Sequence, residues 1–187
     1  MQTTEMSAKT EWHVDLVRST IGFKVKHLLV SNVIGEFKEY AASIYAKGED
    51  FLSTEIEVRL NPASIDTGDS ARDTHLKGAG FFNVQRFNEI TFKGRSLEEA
   101  GHEMYFLYGD LTIKDITRAI KLDVEFNGVT KDPWGGRRAS VVVTGTINRT
   151  DWGLIWSALM ESGGVVVAEE IFIKCEIELI KQPGQSL

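Results

Sequence analysis

Alternation of apolar and polar residues with a period of two recurs along this chain, and it constrains the fold more than any other feature. Ile21, Phe23, Val25 and His27 share one face of an extended segment, while Lys24 and Lys26 point the other way. Ile56, Val58 and Leu60 alternate with Glu55, Glu57 and Arg59, and Ile120, Leu122, Val124 and Phe126 alternate with Lys121, Asp123, Glu125 and Asn127. The longest run sets Ile171, Ile173, Cys175, Ile177 and Leu179 against Phe172, Lys174, Glu176 and Glu178. Side chains of a strand point alternately to its two faces, so each run has one dry face and one wet face, as antiparallel sheets do.

Residue usage agrees. Val and Ile, 15 of each, outnumber Leu at 14 and Ala at 12, and β-branched residues suit a pleated surface better than a helix. Weaker strand signals cover 32–39, 42–46, 89–96, 103–113 and 138–147, which makes eight or nine strands. Asp132-Pro133-Trp134-Gly135-Gly136 reads as a turn, because proline and glycine preset turn dihedrals. A second hairpin turn is expected at Leu97–His102. The one convincing helix is Asp69–Gly78, and further helical turns are expected near Asp50–Thr54 and Trp156–Glu161. Many antiparallel strands with few helices predict an all-β protein, a sheet closed on itself into a barrel of about eight strands, since closure removes exposed edges. Such a barrel either fills with side chains or holds one small ligand, and composition leaves both open.

A chain of 187 residues suits one domain, read here as residues 11–181 between tails at 1–10 and 182–187. The net charge of −6 argues against a general nucleic-acid binder, which needs a concentrated basic surface. No apolar run approaches the ~20 residues of a membrane helix. The opening MQTTEMSAKT lacks a basic start followed by an apolar stretch, so a cytoplasmic location is expected. One cysteine, Cys175, excludes a disulfide framework and reads as a small core hydrophobe.

An ordered series of motifs runs from Trp12-His-Val-Asp15 through Ser19-Thr-Ile-Gly-Phe-Lys-Val-Lys-His27 and Val33-Ile-Gly-Glu-Phe37 to Ile65-Asp-Thr-Gly68. It continues with Arg72-Asp-Thr-His-Leu-Lys77, Phe81-Phe-Asn-Val84, Ile90-Thr-Phe92, Gly109-Asp-Leu-Thr-Ile113, Thr117 and Arg149-Thr-Asp-Trp-Gly-Leu154. In kind and order these resemble the YceI-like family over about residues 12–180. The resemblance implies a lipocalin-like, extended antiparallel barrel with one or two short helices. It also implies that a long polyisoprenoid or similar lipid, such as a quinone or prenyl phosphate, occupies the lumen, without catalysis, and that the protein is a homodimer. Arg18 and Trp152 depart from the usual residues, a His and a Phe, and mark where the ligand would differ.

Lining candidates are Phe23, Val25, Phe37, Ile56, Val58, Phe92, Phe126, Val141, Val143 and Ile173, whose plainer reading is core filling. Arg72 and His75, three apart on the expected helix and beside Phe81 and Phe82, are expected to meet a lipid head group; ion pairing of Arg72 with Asp69 or Asp73 is the alternative. His27 is either a satisfied core residue or a donor into the lumen. Ser70 with Asp73 and His75 invites a hydrolase reading, an enzyme acting on a lipid-like substrate, but helix capping explains the same residues. The four histidines are dispersed and no HExxH or CxxC occurs, so neither metal nor cofactor is expected. Asn148-Arg149-Thr150 has the form of a glycosylation acceptor without relevance in the cytoplasm. Trp134 reads as a turn residue or a dimer contact.

Overall fold

Eight strands close into a ring in a computed structural model that describes residues 9–28, 30–156 and 166–183. In chain order the strands are β1 (Lys9–Val14), β2 (Thr20–His27), β3 (Ser31–Phe37), β4 (Tyr40–Lys47), β5 (Asp50–Leu60), β6 (Ile65–Asp66), β7 (Ile90–Gly101), β8 (Met104–Ile113), β9 (Ile116–Lys131), β10 (Arg137–Asn148) and β11 (Val167–Lys181). The ring runs β1-β4-β5-β7-β8-β9-β10-β11 and back to β1, every pairing antiparallel. β11 serves two partners: its C-terminal end pairs with β1 (Trp12 opposite Lys181), and its N-terminal half pairs with β2 (Phe23 opposite Ile173), from which β3 and β6 extend the wall.

Where β1 gives way to β2, Arg138 of β10 gathers three carboxylates: Asp15 at 2.9 Å, Glu178 at 2.5 Å and Asp132 at 3.5 Å. The Arg138 hydrogen bond holds the Asp15 carboxyl below its ordinary range. Asp132 is also lowered: burial pushes it up, but the amides of Gly136 and Trp134 and the Arg138 guanidinium outweigh that. The same amide bonds fold the expected 132–136 turn.

One end of the barrel is stopped. Trp12 is fully buried, donates from Nε1 to the Gly48 carbonyl at 3.3 Å, and packs on Phe51, whose ring touches Phe126 in turn. This plug is why Asp50–Thr54 is strand rather than the expected helical turn: Phe51 must face inward against Trp12, and the ladder begins at Lys47 opposite Asp50. The other expected hairpin turn shifts too. β7 runs on to Gly101, with Leu97 paired to Leu107, and the reversal falls at His102 and Glu103, both left-handed with φ of 49° and 63°.

Helix α1 (Ser70–Lys77) covers the opposite end. It forms as expected because Asp69 caps it, accepting from the Ala71 and Arg72 amides at 3.0 Å, and Gly78 ends it. A short 3-10 turn, Arg149–Trp152, lies at the same end, started by the Asn148 side chain accepting from the Thr150 amide. Most of the helical turn expected at Trp156–Glu161 lies outside the described residues. No helix among the described residues is long and apolar enough to cross a membrane.

Candidate functional site

The barrel interior is hollow. A cavity of about 530 Å³ runs through it, in the range of small-molecule sites. Its wall is the dry face of the alternating runs: Ile21, Phe23 and Val25 from β2, Ile56, Val58 and Leu60 from β5, alternate residues of β9 from Ile120 to Phe126, and alternate residues of β11 from Ile171 to Leu179 line it. All ten residues singled out as lining candidates face this space, Phe37, Phe92, Val141 and Val143 among them. The period of two made this legible, because closing a sheet turns one face of every strand inward.

Glycines keep the wall thin where rings lie across it. Phe23 leans on Gly35 of the neighbouring strand so closely that a Cβ there would come within 2.3 Å of the ring. Phe92 lies over Gly109 in the same way, at 2.4 Å. Flattened against the wall, these rings leave the centre of the barrel open.

Polar lining groups are segregated by position along the strands. Thr54 and Tyr105 belong to the stopped end, and Cys175 lies midway, where burial pushes its thiol up to about 11. His27, Thr67, Arg72, His75 and Arg149 gather at the α1 end. No carboxylate lines the cavity among the described residues. Phe81 and Phe82, stacked edge to face at 5.1 Å, complete this end, and the His75 ring stands 4.5 Å from that of Trp156.

Arg72 reaches the cavity but makes neither of the ion pairs offered as its alternative role. Its Nε donates to Thr67 Oγ1 and its Nη2 to the Thr67 carbonyl, both at 2.8 Å. The Thr67 hydroxyl donates onward to Asp73 at 2.6 Å, so Asp73 acts on Arg72 through Thr67. Ser70, Asp73 and His75 form no hydrogen-bonded triad: Asp73 is engaged by Thr67, and the Ser70 carbonyl accepts from Thr74. Among the described residues no three His, Cys, Asp or Glu side chains converge as a metal site.

Two expectations are corrected by position. Trp152 does not line the lumen; it is 2% exposed, packed within the wall, with Nε1 donating to the Leu111 carbonyl at 3.0 Å. The indole is held in the core beside the lumen because that carbonyl gives its N–H a buried partner. Arg18, the other departure, is exposed at the β1–β2 break, 3.6 Å from Glu178 and away from the cavity.

Arg149 is the residue that sequence reasoning passed over: it appears there in the Arg149–Leu154 motif and in a glycosylation pattern, with no role at the site. It is 2% exposed, and its guanidinium donates to the carbonyls of Ala168 and Trp156 at 3.0 Å, Val167 at 3.3 Å and Leu154. Phe81 lies under it at 5.8 Å. Burial pushes its pKa down, a pull that distant Glu169 only partly opposes. Its place in the Arg149–Leu154 motif was the available signal.

A closed eight-stranded antiparallel barrel with an apolar lumen, capped by a helix at one end, is a lipocalin-like architecture. The YceI-like domain matches residues 12–179, and the chain belongs to that family. A UPF0312 protein of Staphylococcus aureus is 38% identical over 170 residues, 90% of this chain and 96% of its own length. Among solved structures, a YceI protein of Campylobacter jejuni is 28% identical with a TM-score of 0.70, covering 84% of this chain and 90% of its own. A polyisoprenoid-binding domain of Saccharophagus degradans is 12% identical with a TM-score of 0.68, covering 91% of this chain and 98% of its own, a likeness of fold.

Proposed function

We propose that this protein binds a long-chain polyisoprenoid or closely related lipid, such as a quinone or prenyl phosphate, in its lumen. On this reading it carries or sequesters the lipid without covalent chemistry. The observation that carries the proposal is the hollow interior: about 530 Å³ walled almost wholly by aliphatic and aromatic side chains. The Saccharophagus degradans domain that shares this fold is a polyisoprenoid-binding domain, which supports the reading.

The energetics are those of burial. Each methylene taken from water contributes about 0.8 kcal/mol, so some 20 carbons supply about 16 kcal/mol. That offsets the estimated ~4–15 kcal/mol lost in association. Phe23, Val25, Phe37, Val58, Phe92, Phe126, Val143 and Ile173 would contact the tail, with His27, Arg72, His75, Phe81 and Phe82 nearer the head. A dimer, if formed, has an apolar contact available in Trp134, 85% exposed on its turn.

Gentle purification, organic extraction and mass spectrometry of the extract test the proposal. A prenyl lipid present in stoichiometric amount is the expected result. An empty extract, together with failure of the pure protein to take up added prenyl lipids, would remove it.

A further inference from the structure

We infer that the lumen selects amphiphiles whose head is an acid, a carboxylate or phosphate ester, and that Arg149, helped by Arg72, is the group that reads it. The inference rests on the lipid-binding proposal above and narrows its ligand class.

Arg149 is an unusual group to find on the wall of an apolar cavity. Its five N–H donors meet four backbone carbonyls, one from Nε, two from Nη1 and one from Nη2. That leaves one Nη2 donor to spend. More important is the charge. Carbonyl dipoles solvate a guanidinium without neutralising it, and a buried cation ordinarily has an anionic partner. Among the described residues no carboxylate comes within ion-pair distance of Arg149, although Arg138, Arg59 and Arg95 all have one.

The surroundings sharpen the effect. The cavity that Arg149 lines contains a second cation, Arg72, fixed at two of its nitrogens by Thr67, and among the described residues no Asp or Glu. An apolar wall screens such a field poorly, so the two guanidiniums make the α1 end the positive end of the lumen, with Glu169 and Asp73 acting on them only from outside the cavity. A neutral head, an alcohol or a quinone carbonyl, can accept one hydrogen bond there. An acid accepts the bond and cancels the charge as well, and charge-assisted bonds to guanidinium are the stronger class.

Four carbonyl bonds also make Arg149 a staple between the 149–156 turn and the start of β11, so the test must read something a purely structural role would not move. The unaltered protein is titrated with three ligands that share one C20 tail: geranylgeraniol, geranylgeranoic acid and geranylgeranyl monophosphate. Displacement of a fluorescent lipid probe reports each affinity at pH 8 and at steps down to pH 5. The expected result is that at least one acid binds tenfold or more tightly than the alcohol. For the carboxylic acid, this advantage shrinks as pH falls through the ligand's own pKa. Comparison of the two acids tells carboxylate from phosphate.

If all three bind within threefold of one another, the inference is overturned while lipid binding stands. If none binds, the lipid-binding proposal itself fails. Arg149→Gln and Arg72→Gln follow, the second because it leaves the staple intact. Arg72→Gln is expected to weaken the favoured acid at least threefold more than it weakens the alcohol. Equal weakening of acid and alcohol would count against charge recognition.

Discussion

Replacing Gly35 by alanine tests whether the lumen near Phe23 is working space for a ligand. The new Cβ would fall 2.3 Å from Phe23 Cζ and 2.8 Å from Cε1, against a comfortable carbon–carbon contact of about 3.5 Å. The ring edge must therefore retreat by about 1.2 Å, and the way open to it is into the cavity. Gly35 does not have a positive φ, so backbone strain adds nothing. The stability cost is that of an off-rotamer side chain, about 1 kcal/mol, which for a chain of this size lowers Tm by about 2–4 °C. Affinity suffers more. A ring displaced into the lumen takes room from about two methylenes of a bound chain, roughly 1.6 kcal/mol or about 15-fold in Kd. Thermal melts and lipid titration of Gly35→Ala, Phe23→Leu and the double variant measure both quantities, and the double variant should regain most of the lost affinity. A folded Gly35→Ala that binds prenyl lipid within twofold of the parent would refute the placement of ligand against Phe23. A fall in Tm beyond about 10 °C would show that the ring has nowhere to go, contradicting the open lumen.

Trp152→Phe removes the indole bond to the Leu111 carbonyl but no lining atom; it should cost about 1 kcal/mol, a Tm drop of about 2–4 °C, with lipid affinity unchanged within twofold. The carboxyls of Asp15 and Asp132 are held below their ordinary values, so the folded state binds fewer protons than the unfolded chain in acid. Their contribution is therefore complete above about pH 5 and lost as pH falls through the lowered folded values. Melts from pH 6 to pH 3 should show Tm falling with pH, and Arg138→Gln, which removes the partner common to both, should flatten that slope. Cys175, raised to about 11 by burial, should resist iodoacetamide at pH 8 in the folded protein and react readily once unfolded; rapid labelling of the native state would contradict its place in the wall.

Local signals were sufficient for most of the long strands and for their inward faces, but not for β1, β6 or the start of β5. Lys24 and Lys26 against Phe23 and Val25 fix which side of β2 meets water, because one-residue slippage would bury charge. Asp69 and Gly78 mark the ends of α1 for equally local reasons, a side chain that accepts amide bonds and a residue that stops the helix. Nothing local distinguishes a packed barrel from a hollow one. That depends on Phe23 and Phe92 lying flat across Gly35 and Gly109, residues on neighbouring strands that meet only when the sheet forms.

Tertiary structure likewise decided the polar groups. Phe51 reads as part of a helical turn until Trp12, 39 positions earlier, offers it a ring to pack against. Trp152 looks like a ligand contact until the Leu111 carbonyl, distant in sequence, takes its N–H. Arg149 gains its meaning only when carbonyls from 154, 156, 167 and 168 close around it, with no carboxylate at ion-pair distance among the described residues. The chain's amino acids set the alternation and hence the inside of the barrel. Which inward groups are plugs, wall or binding surface was settled by long-range packing, because burial and hydrogen-bond satisfaction belong to the assembled sheet and not to any one strand.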